Sequence, residues 1–367
     1  MTLDYTSRLQ KIESILQNAL PRRPDAAWFK RNFFDYGQEF PLPRKAAEPL
    51  VEPVVDLLSR GGKRWRPLLM LLVCESLGGG MAALPLSPLV EFCHDASLIH
   101  DDIEDNSTER RGKPAVHLLY GTDTAINSGC FLYFLPLSCI DNWDAPDEAK
   151  LKLYSLWSRE MRALHLGQSL DIAWHRSWET LPSIDDYYTM CALKTGVLAR
   201  FAARTAYLAA FYAGGSGGAN AGFAFARAAE KLGVGFQILD DVKNLTEGVQ
   251  GKKRGDDIVE GKKSLPVLLY LHGASADMTE TERRKRMVMR CFNAAANVET
   301  PEVEELIYEL AAAECLDKAA GLGRNLLAEA KELFSNAGFT GAGNDAVIGG
   351  SRHEAQALLA GLTDLIG

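Results

Sequence analysis

The chain has 367 residues, of which 47% are hydrophobic and 24% charged, and its formal net charge is -8. That is ample apolar material for a substantial core, and the acidic balance excludes a nucleic-acid binder that works through a basic surface. The 7 cysteines are scattered without a CxxC pair, as expected of reduced thiols in a cytoplasmic protein, and no apolar run reaches the roughly twenty residues of a bilayer span.

Residues 1–45 open on a polar stretch of mixed charge, unlike a signal peptide. Their pattern predicts a helix from Thr6 to Leu20 and then a Pro- and aromatic-containing segment to Pro43. They read as an N-terminal helical extension without recognisable chemistry, and residues 46–367 as one all-α domain. Glu48–Ser59 is a predicted helix that stops at GGKRWRP, Gly61–Pro67, where Lys63, Arg64 and Arg66 crowd positive charge at a turn before the next helix, Leu68–Leu77. Loop amides at a helix start favour anions, so this turn is a candidate phosphate site.

Ser87–His100 is the next predicted helix, and it runs into a dense charged stretch. Asp101, Asp102, Glu104 and Asp105 put four carboxylates within five residues. On a helix Asp101 and Asp105 share one face, and His94 lies two turns earlier on it. Packed acids repel one another, and oxygen-only ligands favour a hard cation such as Mg²⁺, which shares its shell with water and substrate phosphate. Arg110 and Arg111 follow at once, with forks that suit phosphate oxygens. Acid for metal beside base for phosphate suggests a diphosphate held through magnesium.

Gly121–Ile140 and the long amphipathic Leu151–Trp174, which includes Gln168 and Asp171, are further predicted helices. Tyr187–Ala213 carries the pair Lys194–Thr195. GGSGG at Gly214–Gly218 is a connection and not a phosphate loop, because no Lys-Ser/Thr follows it. Ala221–Asp241 ends in a second acidic pair, Asp240 and Asp241. Thr246–Lys263 is rich in glycine and lysine and reads as a loop able to close over an anion. Helices are predicted at Ser264–Leu271, Thr279–Asn293, Pro301–Ala320, Gly323–Ala337 and Arg352–Leu365. No βαβ rhythm occurs, so the fold class is all-α. If the two aspartate helices pack with their acidic ends level, they enclose an apolar cavity for a hydrocarbon tail. Cys93, Ala96, Ser97 and Val90 would line it below the metal, with Phe131, Tyr133 or Phe134 as its floor.

The ordered motifs GGKRWRP, HDASLIHDDIEDNSTERRGKPAVH, GQSLDIAW, KTG, GFQILDDVKN and DIVEGKKSLP resemble those of the trans-isoprenyl diphosphate synthases, over half the chain from about Gly61 to Leu271. The details of DDIEDNS, RRG and the following YG and INS are most similar to the eukaryotic-type geranylgeranyl diphosphate synthases. The resemblance implies a helical bundle of the isoprenoid synthase type with a central apolar cavity, usually a homodimer. It also implies condensation of isopentenyl diphosphate with an allylic diphosphate.

Carried over by position, Asp101, Asp105 and Asp240 would bind three Mg²⁺ ions, Asp102 would assist through water, and Asp241 would lie close by. Arg110 would contact the allylic diphosphate. Lys63, Arg66, His94 and Arg111 would hold isopentenyl diphosphate. Lys194, Lys253 and Lys262 would neutralise the leaving diphosphate, Thr195 and Gln237 would stabilise the allylic cation, and Gln168 and Asp171 would support the metal site. Asn244 departs from the commonest pattern, which has a third aspartate there. The implied product is C20, with farnesyl or longer chains as alternatives. A terpene cyclase would need no isopentenyl diphosphate site, and a non-catalytic regulatory subunit would not need complete motifs.

Overall fold

In the computed structural model the described residues are 5–33, 47–176, 181–216, 218–248, 254–274, 278–293, 300–337 and 349–366. Helices α1 (Thr6–Ala19), α2 (Ala26–Phe33), α3 (Glu48–Ser59), α4 (Trp65–Ser76) and α5 (Ser87–Glu104) are followed by a small hairpin, β1 (Glu109–Arg110) and β2 (Lys113–Pro114). Then come α6 (Val116–Tyr120), α7 (Thr122–Phe134), α8 (Ser138–Asp141), α9 (Asp147–Arg176), α10 (Ile184–Cys191), α11 (Val197–Tyr212) and α12 (Ala219–Thr246). The order closes with α13 (Asp256–Val259), α14 (Leu265–His272), α15 (Met278–Asn293), α16 (Pro301–Ala312), α17 (Cys315–Ala337) and α18 (Gly349–Ile366). The expected all-α class holds, and the hairpin is the sole sheet among the described residues.

The chain divides into two compact units. The first comprises Met1–Ser158, Phe201–Ala226 and Phe334–Leu362. Within it every residue of α4 is buried, as an almost uniformly apolar helix requires. α1 packs on α4 and α5, and α7 packs on α3 and α5. The second comprises Arg159–Arg200, Arg227–Leu333 and Thr363–Gly367. One of its apolar clusters joins Tyr187, Cys191, Val234, Ile238, Leu265 and Leu268, and another joins Val267, Tyr270, Val288, Val303, Leu306 and Leu310. No described helix is long and apolar enough to cross a membrane.

Several boundaries differ from the sequence expectation. The helix expected over Gly121–Ile140 ends at Phe134, and Leu135–Leu137 is a 3₁₀ turn. Pro136 lacks the amide that would continue the α ladder. The break expected between Ala320 and Gly323 lies instead at Glu314, in the left-handed region with φ 57°. α17 runs straight through Gly321 and Gly323 because Gly323 packs against Leu239 of α12. The stretch read as a loop over Thr246–Lys263 contains the short helix α13, and residues 249–253 of it lie outside the described residues.

Candidate active site

In the first unit, the charged cluster lies where α5 ends. Most apolar residues of α5 are buried as far as Ile99, together with the acids Glu91 and Asp95, and the four-carboxylate cluster follows at the next turn. Asn106, with φ 53°, closes the helix: Ser107 N donates to Asp102 O at 2.9 Å and Asn106 N to Ile103 O at 3.4 Å. This double closure satisfies the last carbonyls and ends the helix at the carboxylate cluster. The chain then turns back at once. Arg111 (φ 53°) and Gly112 (φ 75°) form the two-residue corner between β1 and β2. Positive φ at both positions matches the right-handed twist of a tight hairpin. Arg60 at the end of α3 clamps this hairpin, donating to Arg110 O at 2.9 Å and Pro114 O at 3.0 Å.

The hairpin directs its two arginines to different acids. Arg110 donates to buried Asp102, with Nε 2.9 Å from Oδ1, and lies 4.0 Å from Asp101. Arg111 donates to buried Asp95 at 2.8 Å and to Leu57 O at 3.2 Å. Asp102 is thus engaged by protein, whereas Asp101 and Asp105 are half-buried and Glu104 is exposed. Burial, reinforced by Arg66, Arg111, Arg110 and Arg64, holds the His94 pKa well below its ordinary value. His94 is therefore a neutral imidazole in a strongly positive field.

Arg66 belongs to the same field. It is buried, stacks on the Trp65 ring at 4.5 Å, and its Nε has no hydrogen-bond partner. Burial, opposed by Glu91 and aided by Arg111, pushes its pKa down to about 10. A buried guanidinium short of acceptors is a preformed place for an anion. Arg64, grouped with Lys63 and Arg66 by sequence, is instead engaged by Glu91, Glu13 and the Leu58 carbonyl. Lys63 is exposed on the same turn.

Below the acids, Cys93, Ala96 and Val90 are fully buried, and half-buried Ser97 donates to His94 O at 2.7 Å. Of the aromatics expected as a floor, Tyr133 is buried and stacks on His100, Phe131 stacks on Phe33, and Phe134 is 61% exposed. Trp157 of α9 lies against Cys93 and was not singled out by sequence. Its pattern signal, one of three aromatics on an amphipathic helix, is indistinguishable from ordinary core.

In the second unit, a further polar cluster is built around a π turn, Ala192–Gly196, which carries KTG. Wide turns of this kind are frequent at functional sites. Lys194 Nζ lies 2.5 Å from Asp171, and His175, four residues on, binds the other oxygen at 2.9 Å. Burial opposes ionisation of Asp171, but Lys194, His175 and Lys262 hold its carboxyl below the usual range. Gly196 lies against Gly233: a Cβ on Gly233 would come 2.8 Å from Gly196 Cα. That close approach brings Thr195 beside α12, and its hydroxyl donates to Gln237 Oε1 at 2.8 Å. Gln237 Nε2 donates to Asp241 Oδ1 at 2.8 Å, and Tyr187 donates to Oδ2 at 2.6 Å. Burial, with Asp257 and Asp240 nearby, pushes Asp241 up to about 7 against those two donors. Asp240, half-buried, precedes Asp241 inside α12, which runs on to Thr246 instead of ending at Asp241 as expected.

Lys262 lies 3.0 Å from Asp257 and 2.9 Å from Glu260, while Lys253 lies outside the described residues. Asn244 is buried, and its Oδ1 accepts from Asp257 N at 3.3 Å, so this side chain braces the start of α13. Sequence reasoning missed His175, Tyr187 and Asp257. The i,i+4 spacing from Asp171 was a signal for His175, whereas Tyr187 reaches Asp241 only through tertiary packing.

No described group of three His, Cys, Asp or Glu side chains converges closely enough to hold an ion by itself. The donor chemistry nevertheless fits a hard divalent cation, because Mg²⁺ sites of this kind combine one or two carboxylates with water and phosphate oxygens.

Residues 47–306 match the family described as Polyprenyl synthetase. The chain belongs to this family. It is a prenyltransferase, a trans-prenyl diphosphate synthase. It is 36% identical over 226 residues to a geranylgeranyl pyrophosphate synthase of Eremothecium gossypii, covering 60% of this chain and 69% of that one. It is 34% identical over 222 residues to a geranylfarnesyl diphosphate synthase of Aeropyrum pernix, covering 58% and 68%. Its fold resembles a crystal structure of geranylgeranyl pyrophosphate synthetase from Pyrococcus horikoshii, with TM-score 0.76, 24% identity, and 98% and 96% of the two chains covered. The expected family and fold class are borne out.

Proposed function

We propose that this synthase joins isopentenyl diphosphate head to tail (1′-4) to an allylic diphosphate, with Mg²⁺, and makes geranylgeranyl diphosphate. The observation that carries the two-substrate reading is Arg66, a buried guanidinium with an unpartnered Nε. It lies in one positive field with His94 and Arg111. A cyclase working on a single diphosphate has no use for that second anion site.

In this reading Asp101, Asp105 and Asp240 would hold Mg²⁺, three ions in all, and these would stabilise the negative charge that develops on the departing diphosphate. Arg110 contacts the allylic diphosphate. Lys63, Arg66, His94 and Arg111 bind isopentenyl diphosphate. Lys194, Lys262 and Lys253 neutralise the leaving group, and Asp171, itself bonded by His175, holds Lys194 in place. The allylic C–O bond breaks and its electron pair leaves with the diphosphate. The Thr195 and Gln237 oxygens face the resulting cation, and the isopentenyl double bond attacks it to form the new C–C bond. Loss of a proton to the departed diphosphate restores a double bond.

The C20 length rests on the small, buried Cys93 and Ala96 and on Ser97, which leave room for a tail, and on the name of the E. gossypii relative. The geranylfarnesyl relative marks a longer product as the nearest alternative. Exposed Leu118, Leu119 and Ile126 on α6 and α7 suit a homodimer.

The test is a product assay with Mg²⁺, isopentenyl diphosphate and, separately, the C5, C10 and C15 allylic diphosphates. A single C20 diphosphate, abolished by chelator, is the expected result. Another length revises the product. Hydrocarbon from one allylic substrate alone makes the protein a cyclase, and no turnover at all points to a regulatory subunit.

A further inference from the structure

The family match covers residues 47–306, so α1 lies outside it. Yet α1 reaches the turn that carries Lys63 and Arg66. The helix is firmly docked: Ile12 and Leu16 are fully buried, and Arg8 pairs with buried Glu75 at 2.7 Å. From it, Glu13 Oε2 accepts from Arg64 Nε at 3.1 Å.

Arg64 is the N-cap of α4 and has left-handed backbone, φ 49° and ψ 26°. An L-residue other than Asn or Asp seldom adopts that region, and keeps it only where its surroundings hold it. Here each of its three guanidinium nitrogens donates within the protein. Nε serves Glu13, Nη1 serves Glu91 at 2.7 Å, and Nη2 serves Leu58 O at 2.7 Å. Nη1 also lies 3.9 Å from Asp95, the acid that Arg111 binds at 2.8 Å. The turn itself rests on these two side chains: a Cβ on Gly62 would come 3.2 Å from Arg111 Nη2 and 3.3 Å from Arg64 Nη1.

We propose that Arg64 is a positioning residue that holds the GGKRWRP turn in its left-handed form, and that α1 is part of the substrate site because Glu13 helps to anchor Arg64. The proposal rests on the reading that Lys63 and Arg66 bind isopentenyl diphosphate. Arg64 makes no contact with substrate. It fixes the backbone on which one binder precedes it and another follows two residues later. Glu13 ties that backbone to a helix beyond the matched family segment.

The test is steady-state kinetics of the full chain with Mg²⁺, varying isopentenyl and allylic diphosphate in turn. Arg64→Ala raises the KM for isopentenyl diphosphate about tenfold or more, through loss of a buried charged hydrogen-bond set. Arg64→Gly, which adopts positive φ without strain, recovers about threefold of that loss. Glu13→Ala, at a one-third-exposed position, raises the same KM about threefold. The allylic KM stays within about twofold in all three, a split that general loosening of the fold does not produce. If Arg64→Gly is no better than Arg64→Ala, the turn geometry is not what Arg64 supplies and the proposal falls. An unchanged KM in Glu13→Ala overturns the role of α1, and that variant carries the test should the Arg64 variants fail to fold. Lys63→Ala separates the two levels. If it leaves the isopentenyl KM unchanged, the reading of the turn as a substrate site fails. If it raises that KM and the Arg64 and Glu13 variants do not, only the positioning proposal fails.

Discussion

Arg66 and Asp241 are the residues whose surroundings say most about their work. Each is charged in isolation, each is buried, and each has its pKa moved toward neutrality. For Arg66 the remedy is an anion. Arg66→Ala is expected to raise the isopentenyl diphosphate KM about 10- to 100-fold, the worth of a charge-assisted hydrogen bond of about 1.5–3 kcal/mol. Substrate titration at saturating allylic diphosphate checks it, and an unchanged KM removes Arg66 from the site. For Asp241 the consequence is a pH dependence. Its folded pKa, about 7, lies above its ordinary 3.8. The stability it lends as a neutral acid is therefore full below about pH 4 and is lost as pH rises to 7. Melts of metal-free protein at pH 5 and pH 7 are expected to show a lower Tm at pH 7, with the slope flattened in Asp241→Asn. Identical slopes in the two proteins would sink that account.

At the level of elements, the site depends on how helices end and how closely they approach. α5 ends at its acids because Asn106 accepts a left-handed backbone, and the hairpin returns the arginines because Arg111 and Gly112 do the same. The π turn lies against α12 through two glycines, Gly196 and Gly233. Gly233→Ala should force the two apart, lengthen the Thr195–Gln237 hydrogen bond, and cost about 1–3 kcal/mol of stability as overpacking does. The kcat should fall at least tenfold, while the isopentenyl diphosphate KM, governed by residues of the other unit, stays close to that of the parent. Equal damage to both parameters would argue against a local effect.

For the whole molecule, the exposed Leu118, Leu119 and Ile126 of α6 and α7 are apolar surface that a partner subunit would cover. The expectation is a mass twice that of the chain by light scattering, with Ile126→Lys and Leu119→Glu together giving a folded monomer. A monomeric parent protein would refute the dimer and leave that face unexplained. The family match covers residues 47–306, and the helices on either side lie outside it. α1 shows that a helix outside the matched segment need not be peripheral, because it supplies an acid to a buried arginine.

The sequence by itself determined the all-α class, the helices that carry the acidic clusters, and the candidate chemistry. Periodicity and short-range spacing are local properties, and Asp101, Asp105, Arg110 and Arg111 lie within eleven residues of one another. It also located the KTG and DDVKN motifs, though not what they touch. The tertiary structure alone decided which charges are committed within the protein. Arg64 looked like Lys63 and Arg66 in sequence, yet its partners Glu13 and Glu91 lie far along the chain on either side. Lys194 reads as one more cation until Asp171, itself bonded by His175, is seen to hold it. Asn244 reads as a weakened metal ligand until its oxygen is seen to accept from Asp257. Charge type is written residue by residue, but the partner of a charge is set by long-range packing, and burial fixes how strongly the two must bind.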